Sequence, residues 1–144
     1  MRILLVEDNM LIGNAVRDHM VAQDWTVDWA TDLKSATAAV DQTRYGLVLL
    51  DLRLPDGNGL DLLRHMKDGS PLPPVIIMSA YDQMSDQIEG LRIGAVDYLI
   101  KPFNLDELVL RIGRIANRLE KAADINRRLF ATPLAPLAAG SHRE

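Results

Sequence analysis

Five polar residues follow short apolar segments of the 144-residue sequence, and together they could carry out phosphoryl chemistry. They are Glu7, Asp8, Asp51, Ser79 and Lys101. Carboxylates crowded at one site repel one another, which disfavours their charged forms unless a cation lies among them. A hard divalent cation with oxygen ligands meets that need, and Mg²⁺ binds through one or two carboxylates while keeping several waters.

The reaction that this set supports is phosphoryl transfer to a carboxylate, because an aspartate can act as a nucleophile and form an aspartyl-phosphate. We expect Asp51 to attack, while Glu7 and Asp8 hold the metal ion. Lys101 and Ser79 would then bind the oxygens of the phosphoryl group. Taken singly, Asp8 is typical of a turn, Lys101 of a solvated surface and Ser79 of a strand end. Their combination is what indicates a site.

These residues can meet only if the fold brings the ends of distant segments together. Apolar runs of strand length alternate with amphipathic segments, and repeated strand–helix units predict an α/β fold with a doubly wound, five-stranded parallel sheet. In such a sheet, ligands bind beyond the carboxyl ends of the strands, which is where the five polar residues stand. The predicted strands are Ile3–Val6, Trp25–Trp29, Leu47–Leu50, Val75–Met78 and Val96–Ile100.

Apolar residues at helical spacing predict a helix after each strand. In the fourth helix, the stripe consists of Ile88 and Leu91, with Gln87 as a candidate third member. Thr31 or Asp32 is the expected N-cap of the second helix, and Asn104 is that of the fifth. The other stripes are Leu11/Ile12, Ala15/Val16 and Met20; Leu33, Ala36 and Val40; Leu60, Leu63 and Met66; and Leu108, Ile112, Ile115 and Leu119.

The composition limits the other functions open to the chain. It is 48% hydrophobic and 25% charged, which is typical of a globular protein. The absence of cysteine excludes a disulfide framework, a cysteine nucleophile and a cysteine-based zinc site. A net charge of −4 gives no electrostatic case for nucleic-acid binding by this chain. No apolar run is long enough to cross a membrane, and nothing resembles a signal peptide, so we expect a cytoplasmic protein.

The chain changes character near its end. We expect one domain over residues 1–120, followed over residues 121–144 by an extension of the last helix and an Ala/Pro-rich linker or tail.

The segments MRILLVEDN, VLLDLRLPDGNGLDLL, VIIMSA and GAVDYLIKPF together resemble the receiver domain of bacterial two-component response regulators. The resemblance covers about residues 1–118 and is strongest to the OmpR/PhoB-type subfamily. It implies a flavodoxin-like (CheY-like) sheet with strand order 2-1-3-4-5. Members usually carry a C-terminal winged-helix domain, so this chain would act on DNA and transcription only through a domain beyond these residues.

The resemblance also implies residue roles at the site. Asp51 would receive its phosphoryl group from a histidine kinase. Asp8, Asp51 and the backbone carbonyl of Arg53 would bind Mg²⁺, with Glu7 holding a metal-bound water. Arg53 and Tyr81 stand where family members tune the lifetime of the phosphoryl group.

Two further residues would form a switch in this family. The hydroxyl of Ser79 would move toward the phosphoryl group while the ring of Tyr98 turns inward, and Lys101 would bind a phosphoryl oxygen. The Lys101–Pro102 peptide bond would be cis, which proline tolerates at low cost.

In the subfamily, phosphorylation favours a symmetric, charged dimer through the fourth helix, fifth strand and fifth helix. Here Val96 stands where an acid is usual and Gln87 where a base is usual. Surface ion pairs contribute about 0–1 kcal/mol each, so we expect a homodimer that is weaker or differently paired. The expected interface residues are Asp97, Glu107, Arg111 and Arg118.

Other functions fit the residues less well, although a stand-alone receiver that signals through protein contact remains an alternative. A phosphatase that uses Asp51 would need an acid two residues further on, where Arg53 stands. A flavin carrier would need a first loop of small residues around the phosphate, and Glu7-Asp8-Asn9 would repel it. We therefore expect a phosphoacceptor domain that catalyses at most its own phosphorylation and dephosphorylation, and not an enzyme with a separate substrate.

Overall fold

Strands and helices alternate along the computed structural model, which describes residues 1–69 and 71–131. The contacts divide the chain into two units, Met1–Val109 and Leu110–Glu144. The boundary that we predicted at residue 120 stays a prediction. The elements are β1 (Arg2–Val6), α1 (Met10–Val21), β2 (Thr26–Ala30), α2 (Leu33–Gln42), β3 (Leu47–Asp51), β4 (Arg53–Leu54), β5 (Gly57–Asn58), α3 (Gly59–Gly69), β6 (Val75–Ala80), a 3₁₀ turn (Tyr81–Gln83), α4 (Met84–Ile93), β7 (Asp97–Lys101) and α5 (Leu105–Ala131).

Five strands form one parallel sheet in the order β2-β1-β3-β6-β7. Counted without the short strands β4 and β5, this is the predicted order 2-1-3-4-5, so the predicted fold class is confirmed. The chain order reverses between β1 and β3, and ligands of such sheets bind at that point. The antiparallel ladder of β4 and β5 was not predicted, because two-residue strands leave no periodic signal.

The core lies on both faces of the central strands. Residues Ile3–Val6 of β1 are fully buried, and β3 is buried along its whole length. Central strands of a parallel sheet are covered on both sides, which explains their continuous apolar sequences. Strand bounds differ from the predicted ones by one or two residues, and the largest difference is that β6 continues to Ala80.

Helix α1 lies close to β2 because a glycine faces a tryptophan. A Cβ atom at Gly13 would lie 2.0 Å from the ring of Trp29, so only glycine permits this approach. Val16 and Met20 are buried as predicted, whereas Leu11 is 84% exposed and does not share their face. The prediction for Leu11 is wrong because it lies five positions before Val16, which places the two side chains on different sides of a helix with about 3.6 residues per turn.

The inward face of helix α4 matches the predicted stripe only at Gln87. Ile88 and Leu91 are 49% and 40% exposed, whereas Gln87 and Gly90 are buried. A Cβ atom at Gly90 would lie 2.2 Å from Cδ1 of Ile77, so α4 approaches β6 closely at this point. A small and a polar residue form the contact face, and for that reason the apolar stripe indicated the wrong side.

The helix ends follow the expected capping chemistry. Asp32 caps α2 by accepting a hydrogen bond from the amide of Ser35, and Asn104 accepts hydrogen bonds from the amides of Asp106 and Glu107. The expected extension of the last helix is present, since α5 reaches Ala131. The Ala/Pro-rich segment after residue 131 lies outside the described residues. Within the described residues, no helix has the length and apolar character needed to span a membrane.

Candidate functional site

Four of the five predicted site residues meet at the carboxyl end of the sheet. Carboxylate oxygens of Glu7, Asp8 and Asp51 lie within 4.8 Å of one another. The ammonium of Lys101 lies 2.6 Å from Oε1 of Glu7 and 3.3 Å from Oδ2 of Asp51. Because Val6 and Leu50 are register partners, the residues that follow them begin side by side. The sheet therefore places three acids and one base where the sequence predicts them.

Glu7 is fully buried, and hydrogen bonds fix both its backbone and its side chain. Its amide donates to the carbonyl of Ala30, and its Oε2 accepts a hydrogen bond from the amide of Asn9. The indole Nε1 of Trp29 donates to the carbonyl of Glu7 at 2.8 Å. Oε1 accepts no well-aligned hydrogen bond within the described chain, and the nearby ammonium of Lys101 is its charge partner.

Sequence reasoning gave Trp29 no role, yet its indole helps to fix the backbone of a site residue. A signal was available, because a half-buried tryptophan usually finds an acceptor for its N–H group. The sequence alone could not identify that acceptor, since Trp29 and Glu7 lie on different strands.

Asp51 is buried, and its environment raises the pKa of its carboxyl group to about 7. Burial is the main cause, because removal from water disfavours the charged form. The negative charge of Glu7 raises the pKa further, and so does the hydrogen bond that protonated Asp51 would donate to the Glu7 carboxylate. Lys101 acts in the opposite direction but only partly offsets these effects. A second cation beside Asp51 would therefore stabilise its ionised form.

The donor set fits a magnesium ion. It offers only oxygen atoms, and its three carboxylates face one lysine, so positive charge is in deficit. Asp8 is exposed, which leaves one side of the cluster accessible to water molecules, and Mg²⁺ normally keeps several of these. The amide of Arg53 donates to Oδ1 of Asp51 at 3.3 Å, which holds the following loop beside the cluster. The carbonyl of Arg53 stays a predicted ligand.

Ser79, the fifth predicted residue, is fully buried at the end of β6. Its hydroxyl accepts a hydrogen bond from Nε2 of Gln87 at 2.6 Å. The same nitrogen lies 3.3 Å from the carbonyl of Ala80, and the amide of Ala80 donates to Oε1 of Gln83 at 3.0 Å. The resemblance aligns Gln87 with a position that usually carries a base of the dimer face, but here the side chain is only 1% exposed and does not reach the surface.

Tyr98 lies on the same face of the sheet as Ser79. It is the register partner of Ile77, and Ile100 is the partner of Ser79, so alternation along the strands places all four side chains on one side. Tyr98 is half-buried against the core. The Lys101–Pro102 peptide bond is cis, as the resemblance implies.

An exposed ion pair connects β4 with the 3₁₀ turn that follows β6. The guanidinium of Arg53 lies 3.2 Å from Oδ2 of Asp82, and both side chains are about two-thirds exposed. Tyr81, the other residue expected to influence phosphoryl lifetime, is 72% exposed in the same 3₁₀ turn.

The residues expected at the dimer interface are spread over β7 and α5. Asp97 begins β7 and accepts a hydrogen bond from the amide of Tyr98, and Glu107 lies in the exposed first turn of α5. Arg111 and Arg118 lie further along α5, in the unit that begins at Leu110. Four large apolar side chains are exposed on α4 and in the following turn, namely Met84, Ile88, Leu91 and Val96.

Comparison with known proteins identifies relatives over most of the chain. The family described as "Response regulator receiver domain" matches residues 3–113. "Response regulator protein PmrA" of Pseudomonas aeruginosa is 42% identical over 118 residues, which are 82% of this chain and 53% of that protein. "Transcriptional regulatory protein QseB" of Escherichia coli O157:H7 is 41% identical over 82% of this chain and 54% of its own length. The chain thus spans about half the length of the curated relatives it matches.

Solved structures show the same architecture. The non-phosphorylated HemR receiver domain from Leptospira biflexa is 33% identical, with a TM-score of 0.74 over 79% of this chain and 92% of that one. A CheY-like response regulator receiver domain protein from Methanospirillum hungatei JF-1 is 26% identical, with a TM-score of 0.79 over 84% of this chain and 97% of that one.

Proposed function

The chain belongs to the response regulator receiver domain family of two-component signalling proteins, and from this premise we propose that Asp51 accepts a phosphoryl group from a sensor histidine kinase. The observation that carries the proposal is the cluster around Asp51. A buried carboxylate whose pKa is raised to about 7 lies beside two acids and 3.3 Å from a lysine ammonium.

The transfer moves a phosphoryl group from a histidine nitrogen of the kinase to an oxygen of Asp51. The carboxylate attacks phosphorus, a P–O bond forms and the P–N bond breaks. The electron pair of that bond returns to the imidazole, which takes up a proton from water. Ionised Asp51 is the nucleophile, so any cation that lowers its pKa increases the reactive fraction near neutral pH.

Asp8, Asp51 and the carbonyl of Arg53 would hold Mg²⁺, with Glu7 holding one of its waters. The ion supplies positive charge to the phosphoryl oxygens when it is bound. Lys101 is already within contact distance of Asp51 and would move its ammonium to a phosphoryl oxygen. This change would release Lys101 in part from Glu7.

The output would run from Ser79 and Tyr98 to the face formed by α4, β7 and α5. We propose that phosphorylation favours a homodimer through this face and, in the intact protein, DNA binding through a C-terminal domain. The named relatives are response and transcriptional regulators, which supports this output. We also propose that the protein is cytoplasmic and that its receiver domain ends at residue 120. A stand-alone receiver that binds a protein target is the alternative.

Intact-mass measurement with a small-molecule phosphodonor tests the proposal. Acetyl phosphate with Mg²⁺ should add one phosphoryl group to the chain, and the addition should be lost without Mg²⁺ and in Asp51→Ala. Light scattering on the same samples should show a shift toward dimer. A chain that gains no phosphoryl group under any of these conditions would contradict the central proposal, whereas phosphorylation without dimerisation would favour the stand-alone alternative.

A further inference from the structure

We propose that Gln87 is a positioning residue that keeps the hydroxyl proton of Ser79 available for the phosphoryl group on Asp51. This inference rests on the proposed function, because it concerns how the phosphoryl group is bound. It starts from a buried contact, since Gln87 is 1% exposed, Ser79 is fully buried, and Nε2 of Gln87 lies 2.6 Å from Oγ of Ser79.

The surroundings of Gln87 determine which end of its amide faces Ser79. The atom nearest Oγ of Ser79 also lies 3.3 Å from the carbonyl oxygen of Ala80. A carbonyl oxygen can only accept hydrogen bonds, so that atom must be the amide nitrogen, which has two hydrogens to donate. One hydrogen is directed to the Ala80 carbonyl and the other to the hydroxyl oxygen of Ser79.

This direction of donation decides what Ser79 can do next. A serine hydroxyl has one proton to donate and two lone pairs that accept. The N–H group of Gln87 occupies a lone pair, so the proton of Ser79 is left to donate to another acceptor. The oxygens of a phosphoryl group are strong acceptors. A residue that accepted from Ser79 at this position would instead engage the proton that the phosphoryl group needs.

Two glutamines spaced one helical turn apart hold the backbone that follows Ser79. Oε1 of Gln83 accepts from the amide of Ala80, and Gln87 donates to the carbonyl of the same residue. The close approach of Gly90 to Ile77 brings α4 within reach of the strand. Ser79 and α4 are therefore coupled through Gln87, and a displacement of one changes the hydrogen bond to the other.

Packing alone does not account for a glutamine at this position. Oε1 of Gln87 is buried and has no hydrogen-bond partner within the described residues. A buried polar atom without a partner is unfavourable, so an apolar side chain of similar size would suit a purely structural position better. The nitrogen end of the amide is the part that makes specific contacts, and those contacts are with Ser79 and Ala80.

A double-mutant cycle between Ser79→Ala and Gln87→Leu tests the inference on the full chain. The readout is the rate at which acetyl phosphate and saturating Mg²⁺ phosphorylate Asp51, followed by intact mass. Loss of one hydrogen bond to the hydroxyl should make Gln87→Leu about threefold to tenfold slower when Ser79 is present. In the Ser79→Ala background, the same substitution should change the rate by less than about twofold, because the hydroxyl it acts on is gone.

Gln83→Leu is the matched control, because Gln83 holds the backbone of Ala80 without touching the hydroxyl of Ser79. Its effect should be equal in both backgrounds. Gln87→Glu is the second variant, and it should be as slow as Ser79→Ala, since its carboxylate accepts the proton of Ser79. This variant also keeps the size of the side chain and serves if Gln87→Leu does not fold.

Equal effects of Gln87→Leu in the two backgrounds would overturn the inference, because they would show a structural role alone. Full activity of Gln87→Glu would also overturn it. Failure of the unaltered chain to become phosphorylated on Asp51 is a separate result, which would overturn the proposed function whatever values the variants give.

Discussion

At the scale of single residues, the site is defined by an excess of negative charge. Glu7 and Asp51 are buried together, and the one ammonium that contacts both leaves the pKa of Asp51 raised to about 7. An acid whose pKa is higher in the folded than in the unfolded chain favours folding less as the pH rises. The folded chain therefore carries a cost at Asp51 that is absent below pH 4, grows through neutral pH and is complete above about pH 8.

Asp51→Asn should remove this cost, because a neutral amide replaces the buried charge. In the absence of Mg²⁺, we expect the variant to be more stable than the unaltered chain by about 1–4 kcal/mol at pH 8, since one pKa unit corresponds to about 1.4 kcal/mol. At pH 4 the two should differ little. Thermal unfolding in the presence of a chelator at both pH values provides the measurement, and an equal gain at the two values would contradict the charge explanation.

Trp29 should report on the site, because its indole donates to the carbonyl of Glu7. We expect the tryptophan fluorescence of the chain to change when Mg²⁺ is added and the change to be lost in Trp29→Phe. Trp25→Phe is the control, since Trp25 is not bonded to a site residue among the contacts described, and it should retain the signal. A response that disappears in Trp25→Phe instead would show that the signal arises outside the metal site.

At the scale of elements, the sequence predicted the sheet better than it predicted the helix faces. Apolar runs identified all five strands, and the runs of β1, β3 and β6 are continuous because central strands of a parallel sheet are buried on both faces. The site residues were predictable for the same reason, since each lies at or just beyond the carboxyl end of a strand. The inward face of α4 was not predictable from apolar spacing, because Gln87 and Gly90 form it while Ile88 and Leu91 remain exposed.

Gly90→Ala should reveal how closely α4 approaches β6. A methyl group there would lie 2.2 Å from Cδ1 of Ile77, so we expect destabilisation of about 1–3 kcal/mol despite the better helix propensity of alanine. Gly113→Ala is the matched control, because no atom lies within 4 Å of its added methyl group among the described contacts. It should stabilise the chain by about 0.5–1 kcal/mol in urea unfolding. A neutral or stabilising Gly90→Ala would contradict the close approach.

At the scale of the whole molecule, the exposed apolar side of α4 bears on assembly. Met84, Ile88 and Leu91 recur at helical spacing on the outside of the helix, and Val96 is exposed in the turn that follows. The resemblance led us to expect a dimer held by charged pairs and weakened by Gln87 and Val96. Because Gln87 is buried, it does not contribute to the surface that would form the interface. The exposed residues of α4 that could contribute include three large apolar side chains, so we expect apolar contacts in the proposed interface.

The double substitution Ile88→Ser and Leu91→Ser should weaken dimerisation without unfolding the monomer. Both side chains are exposed, so we expect stability to change by less than about 0.5 kcal/mol per site. The dissociation constant of the phosphorylated dimer, measured by sedimentation, should rise at least about tenfold. Glu120→Ser, in the exposed part of α5, is a control that should leave it unchanged. An unchanged constant in the double variant would place the dimer on another surface.

The contact of Lys101 with Asp51 also links the edge strand β7 to the central strand β3. Lys101 ends β7, which is the edge strand beyond β6 in the described sheet, yet its side chain reaches past β6 to Asp51 at the end of β3 and to Glu7 just after β1. An edge strand opens more readily than the central strands, and its backbone amides exchange with deuterium at a rate set by that opening. If the ammonium of Lys101 moves from Asp51 to a phosphoryl oxygen, the link between β7 and β3 changes. Phosphorylation of Asp51 should therefore change the deuterium uptake of β7, which lies two strands away.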